Sequence, residues 1–157
     1  MKHRLAARGI LIGPDERILL ALEQITPGVD EFWVLPGGGM EPEDGCLTNC
    51  VRREFREETG LTVGVGAVRY IEEFREPDAD THHLMLYFFV HHQQGEIHAT
   101  DRAVPLQGAE LKRHVQWFTR DELQTLRVYP VELRTDFWRD RADGITETTY
   151  LGLPPTT

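Results

Sequence analysis

Three glutamates, Glu54, Glu57 and Glu58, are crowded into the run Arg53-Glu54-Phe55-Arg56-Glu57-Glu58. The segment from about Cys46 to Thr59 suits a helix, with Gly60 in the position that ends one. At about 100° per residue, Leu47, Cys50, Val51 and Phe55 share one broad side, and Asn49, Arg52, Arg56 and Thr59 lie opposite. The glutamates extend the apolar side at i, i+3 and i+4 spacing, so they face the protein body. Carboxylates gathered there repel one another and lose hydration. Arg53 can serve one of them but cannot neutralise three. A divalent cation can, and hard oxygen ligands select Mg²⁺ or Mn²⁺. Just upstream stands Pro36-Gly37-Gly38-Gly39, a loop whose backbone can approach a ligand closely. A glycine loop beside a carboxylate-bound metal suits a diphosphate.

From Gly37 to Leu61 the chain resembles the signature of the Nudix hydrolases: Gly, five residues, Glu, seven residues, then Arg-Glu-apolar-x-Glu-Glu-x-Gly-apolar. Arg53, Glu54, Phe55, Glu57, Glu58, Gly60 and Leu61 match every fixed position of the second half. The first half departs from the pattern. Counting back from Arg53 puts Gly45 where the acid belongs and Gly39 at the glycine. Counting forward from Gly37 places Glu43 correctly but leaves nine residues before Arg53. Gly38 with Asp44 is intermediate, with one extra residue before the helix; Glu43 or Asp44 then replaces the missing acid.

The resemblance implies hydrolysis of a nucleoside diphosphate linked to another moiety, with Mg²⁺ or Mn²⁺. It implies metal ligands at Glu54, Glu57 and Glu58 with a backbone carbonyl near Gly38 or Gly39, and a bidentate orienting role for Arg53. The general base in such enzymes is a motif glutamate, here Glu54 or Glu57, or an acid on a distant loop, for which Glu110 is the candidate. Members acting on ADP-ribose often carry a proline about sixteen residues past the signature, where this chain has Pro77. Alternatives are a nucleoside triphosphate pyrophosphohydrolase and a Nudix-like domain that senses a nucleotide without cleaving it. Candidate substrate contacts are Arg8, Phe32, Gly38, Gly39 and Arg75, with Tyr70 and Phe74 as further pocket-lining candidates. Homodimers are common in the family.

The elements that must position these groups follow from the rest of the chain. A length of 157 residues suits a single domain, with the tail from about residue 145 extended or frayed. No stretch is long and apolar enough to span a membrane. The amino-terminal apolar run lacks a small-residue cleavage site, so a cytoplasmic protein is expected. A net charge of −9 argues against nonspecific nucleic-acid binding, though not against a nucleotide bound through metal.

Leu5 to Ile12 and Arg17 to Leu22 read as strands paired in a hairpin through Gly13-Pro14-Asp15-Glu16. Glu23 to Glu31 reads as a loop, and Phe32 to Leu35 as a short strand entering the glycines. Beyond the helix, Leu61 to Phe74 reads as a strand with a bulge near Gly64 and Gly66, and Leu84 to Val90 as a central strand. Residues 100–111 form a longer connection before a strand at Val115 to Phe118. Thr119 and Glu122 form a capping box with Phe118 and Leu123 as its staple. A final helix is expected from Pro130 to Ala142, ended by Gly144. Cys46 and Cys50 are expected as small buried residues. The fold class is α/β, a mixed sheet between helical layers, which agrees with the α/β/α sandwich that the resemblance implies.

Overall fold

The computed structural model describes residues 1–26, 28–96 and 114–153. Strand β1 spans Lys2–Ile10, β2 Ile18–Thr26, β3 Asp30–Val34 and β4 Gly37–Gly39. Helix α1 covers Leu47–Thr59, followed by β5 at Thr62–Glu76 and β6 at Thr81–Gln94. Then come β7 at Val115–Phe118, β8 at Val128–Tyr129, α2 at Asp136–Ala142 and β9 at Thr149–Gly152. Two sheets result, a five-stranded one in the order β4-β1-β6-β5-β9 and a four-stranded one in the order β7-β2-β3-β8. Both are mixed: in the first, β1 with β6 and β5 with β9 run parallel and β5 with β6 and β1 with β4 antiparallel; in the second, β3 with β8 run parallel and β2 with β3 and β7 antiparallel.

Register decides which side chains meet, because paired residues point to the same face of a sheet. Ala7 pairs with Leu86 and Gly9 with Phe88, facing α1. Val51 and Phe55 of α1 close this core. On the other face Ile10, Tyr70 and Tyr87 join Phe137 and Trp138 of α2, together with Ile18, Leu20 and Phe118 from the second sheet. The large sheet thus lies between α1 and α2, the expected α/β/α arrangement.

Several local signals act as read. The α1 helix starts from Cys46 in an extended conformation and stops at Gly60, whose φ of 76° is left-handed and whose N–H donates to the Arg56 carbonyl. The bulge falls between Val65 and Tyr70. Thr119 and Glu122 exchange the two bonds of a capping box, at 2.7 and 3.3 Å, although a 3₁₀ turn follows in place of an α-helix.

Other expectations need correction. The turn at residues 13–17 forms, with Gly13 N–H donating to the Arg17 carbonyl, but no hairpin grows from it. Among the described residues only Ile12 and Ile18 bridge, and β1 and β2 then enter different sheets, because β1 pairs along nine residues with β6 and along three with β4. Residues read as the 23–31 loop mostly extend β2 and β3. The strand expected to end at Phe74 continues as β5 to Glu76. The helix expected from Pro130 is interrupted at Thr135, leaving a 3₁₀ turn at Val131–Arg134 and then α2. Within the described part of the tail, Thr149–Gly152 is extended as β9, which adds to the edge of β5. Cys50 is buried, whereas Cys46 is exposed at the helix start.

Candidate active site

The site is built where α1 lies against β4, the edge strand made entirely of glycine. Arg53 is its hub. The guanidinium donates to Asp44 through two parallel bonds, Nε to Oδ1 at 2.7 Å and Nη2 to Oδ2 at 2.9 Å. It also reaches Glu54 Oε1 at 3.0 Å, Glu57 Oε2 at 3.4 Å and the Gly39 carbonyl at 3.1 Å. Glu41 stands 3.7 Å from Nε. Among the described residues, Arg53 therefore faces four carboxylates. The paired guanidinium holds the buried Asp44 carboxyl at about 2, against the opposing effect of burial. The same bond to Asp44, with help from Glu54, raises the Arg53 pKa further still.

This settles which acid replaces the missing one: Asp44 and not Glu43. The 3₁₀ turn Pro42–Asp44 aims Asp44 at Arg53, and Asp44 Oδ2 accepts from Glu41 N–H at 2.9 Å. Gly45 follows with φ of 71°, a left-handed conformation that a side chain would strain. That residue absorbs the extra position, turning the chain into α1 while Asp44 stays on the guanidinium. Asn49 secures the turn by donating to the Asp44 carbonyl at 2.9 Å.

Glu58 behaves differently from its neighbours. It is 2% exposed, and its Oε2 accepts the Gly37 N–H at 3.1 Å, fastening the glycine loop to α1. Glu54 and Glu57 are more open, with side chains 12% and 30% exposed. Gly38 is needed for space: a Cβ there would lie 2.5 Å from Glu54 Oε1. Burial pushes the Cys50 thiol up to about 11, so it stays protonated and donates to the Gly38 carbonyl at 3.6 Å.

Of the residues read from sequence, Arg53, Glu54, Glu57, Glu58, Gly38 and Gly39 come together. Arg8 lies on the sheet face turned away from α1. It donates to the Leu35 carbonyl at 2.8 Å and to Met85 Sδ at 3.3 Å, and stands 3.7 Å from Glu23. Phe32 pairs across the strands with Glu23, packs edge-on to Tyr129 at 5.4 Å and lies beneath Arg127. Arg75 is not brought to this group. Its register partner is His82, which puts it on the α1 face of the sheet, opposite Arg8, near Met1. Glu110 lies outside the described residues.

Sequence reasoning passed over Glu72. Tyr87 donates to its Oε2 at 2.6 Å, and burial raises its pKa. It shares the Arg8 face, as Arg4 does, and the alternation Arg4-Ala6-Arg8-Ile10 was the available signal for Arg4.

The family model of the NUDIX domain matches residues 2–138. The chain belongs to the NUDIX family. It is accordingly a hydrolase of the Nudix pyrophosphohydrolase class, a class that acts on small nucleotides and generally uses divalent metals. Solved Nudix-fold structures bear out the architecture. The E. coli ORF135 protein is 23% identical with a TM-score of 0.67, over 94% of this chain and 96% of that one. A UDP-X diphosphatase is 19% identical with a TM-score of 0.65, over 98% of this chain and 68% of that one. An ADP-ribose pyrophosphatase from Streptococcus suis is 22% identical with a TM-score of 0.58, over 94% and 98%. At such identities the likeness is one of fold. Comparison with curated proteins gives no match. Among the described residues, no helix of this Nudix chain is long and apolar enough to cross a membrane.

The residues fit a divalent cation by the chemistry of the donor set. Among the described residues, no three side chains of the ligating types stand gathered as a finished cage. Mg²⁺ does not ask for one, since it keeps several waters and binds through one or two carboxylates plus substrate phosphate oxygens. Glu54 and Glu57 supply hard oxygens beside the loop carbonyls, and the carboxylates around Arg53 outnumber its single charge.

Proposed function

We propose that this chain hydrolyses the pyrophosphate bond of a nucleoside diphosphate linked to another moiety, with ADP-ribose as the first substrate to try. The observation that carries the reading is the surplus of carboxylates at Arg53, set against a glycine strand that a phosphate can approach. Glu54 and Glu57 would hold Mg²⁺ or Mn²⁺, with the Gly38 or Gly39 carbonyl alongside. When bound, such a cation neutralises charge on the phosphoryl oxygens and acidifies the attacking water.

The chain's own residues divide the remaining work. Arg53 is a positioning residue that fixes the rotamers of Glu54 and Glu57 and is itself fixed by Asp44. Glu58 holds the loop through the Gly37 N–H with its Oε2 and stays, with Glu54 and Glu57, a candidate metal ligand. The water's proton passes to a carboxylate, either Glu54 or Glu57 within the motif or Glu110 on the connection before β7. Support for ADP-ribose comes from Pro77, which opens the turn between β5 and β6 at the expected spacing, and from the Streptococcus suis relative.

The test is hydrolysis of ADP-ribose, other nucleoside diphosphate sugars, dinucleoside polyphosphates and nucleoside triphosphates, with Mg²⁺ or Mn²⁺. AMP plus ribose phosphate is the expected product pair. A monophosphate plus pyrophosphate would instead assign a triphosphate substrate, and nucleotide binding without any turnover would make the chain a sensor.

A further inference from the structure

The glycine edge strand is pressed from both sides, and by opposite charges. Gly38 makes room for the Glu54 carboxylate on the α1 side. Gly39 makes room for Arg4 on the other side: a Cβ there would lie 2.7 Å from Arg4 Nε and 2.9 Å from its Cζ. The Gly39 backbone is not left-handed, so conformation does not require a glycine at this position. Space for the guanidinium does.

Arg4 and Arg8 are two residues of one face of β1, yet they are engaged differently. Arg8 is 9% exposed and is bonded to Leu35, Met85 and Glu23. Arg4 is exposed and, among the described residues, has no hydrogen bond or ion pair of its own. The register partner of Arg4 on β6 is His83, and the nearby Glu76 carboxylate is taken by that ring at 3.2 Å. A guanidinium with no carboxylate to hold it would ordinarily extend into water. This one lies along the backbone of the strand whose opposite side carries the carboxylates of α1.

We propose that Arg4 binds the substrate's diphosphate, taking phosphate oxygens where the substrate crosses β4 from the α1 side to the Arg8 side. The inference rests on the pyrophosphohydrolase reading of this same site and names the residue that complements it. Electrostatically, the arrangement places a cation at each side of a negatively charged group. Glu54, which would hold a metal together with Glu57, lies against Gly38 on one side of the edge strand, and the Arg4 fork lies against Gly39 on the other. A guanidinium suits the task because its planar donors match two phosphate oxygens at once. Gly39 then has a function of its own, which is to let that fork lie flat against the strand.

The experiment measures binding of α,β-methylene ADP, which is not cleaved between its phosphates, in the presence of Mg²⁺. It compares the wild-type chain with Arg4→Ala, Arg4→Lys and Gly39→Ala. Thermal midpoints are recorded for all four, together with kcat and KM on the best substrate of the panel. Arg4→Ala is expected to weaken analogue binding about tenfold to a hundredfold, the scale of a lost charge-assisted pair, with an unchanged thermal midpoint. Arg4→Lys should recover part of the loss, because it restores the charge without the fork. Gly39→Ala should lose affinity with Arg4 still present, because its Cβ displaces the guanidinium.

Wild-type affinity in Arg4→Ala would overturn the inference while leaving the hydrolase reading intact if turnover persists. Weakened binding in Arg4→Ala of a wild-type chain that hydrolyses nothing would remove the hydrolase reading and leave Arg4 as a phosphate ligand. A wild-type chain that does not bind the analogue would overturn both.

Discussion

Two arginines, Arg53 on α1 and Arg69 on β5, anchor different parts of this molecule, and their surroundings differ in charge balance. Arg69, on β5, is 1% exposed. It donates to Asp140 at 2.7 Å, to the Glu147 carbonyl and Thr149 Oγ1 at 2.8 Å, and lies over the Tyr70 ring at 4.3 Å. Among the described residues its carboxylate partner is Asp140, which Arg139 also approaches at 3.5 Å, and these contacts tie α2 and the approach to β9 onto the sheet. Arg53 also donates to one tightly bound carboxylate, Asp44, but Glu54, Glu57 and Glu41 crowd the same guanidinium. A carboxylate whose charge is met by neighbouring arginines, as Asp140 is, can serve the fold alone. A site with more carboxylates than its cation can neutralise is expensive to build, and a further positive charge offsets that expense. The unbalanced site is the one beside the glycine strand.

The comparison can be broken most decisively by Glu57→Gln. Turnover should fall by more than about a hundredfold, beyond what loss of an outer-shell partner costs, while the thermal midpoint holds or rises as repulsion near Arg53 is relieved. Rates and melting curves measured on one preparation check this. Arg69→Ala should do the reverse. Removing one partner of a buried pair costs about 3–5 kcal/mol, read from denaturant unfolding, whereas turnover per folded molecule should stay near wild type.

Asp44→Asn should show a smaller effect on catalysis, about tenfold to a hundredfold, since it loosens the positioning of Arg53 without removing a proposed ligand. It also carries a pH signature. The Asp44 carboxyl is held at about 2 against an ordinary 3.8, so its stabilising contribution is fully present above 3.8. That contribution fades as pH falls toward about 2. Wild type should therefore lose stability across that window relative to Asp44→Asn, and the two curves should converge at its acid end in unfolding measured as a function of pH. The smallest effect is expected of Gly38→Ala, about tenfold in turnover. Its Cβ would press on the Glu54 carboxylate at 2.5 Å and shift it from Arg53.

How much was legible in the sequence depended on whether the information was local. The inward phase of Glu54, Glu57 and Glu58, the cap at Gly60 and the capping box at Thr119 are set within a few residues, and the structure follows them. The choice between Glu43 and Asp44 was not local. It turned on the left-handed backbone of Gly45, which lets the chain carry one additional residue without moving the acid from Arg53. The hairpin of β1 and β2 failed for the same reason, since partners distant in sequence claimed β1. Arg4 was missed because the strand was started at Leu5, although it begins at Lys2. Arg75 and Arg8 lie on different strands, and only the registers of β1 and β5 against β6 show that they face opposite sides of the sheet. Glu58 has the inward position of a ligand, but its bond to Gly37 N–H depends on where the loop docks.

The central claim is that the carboxylates crowding Arg53 form a divalent cation site. Its most direct test is Mn²⁺ binding by electron paramagnetic resonance in the presence of ADP, comparing wild type with Glu57→Gln and with Arg69→Lys. The account expects bound Mn²⁺ in wild type and Arg69→Lys, and at least tenfold weaker binding in Glu57→Gln. Equal Mn²⁺ affinity in wild type and Glu57→Gln would contradict it, and the surplus charge at Arg53 would then need another explanation.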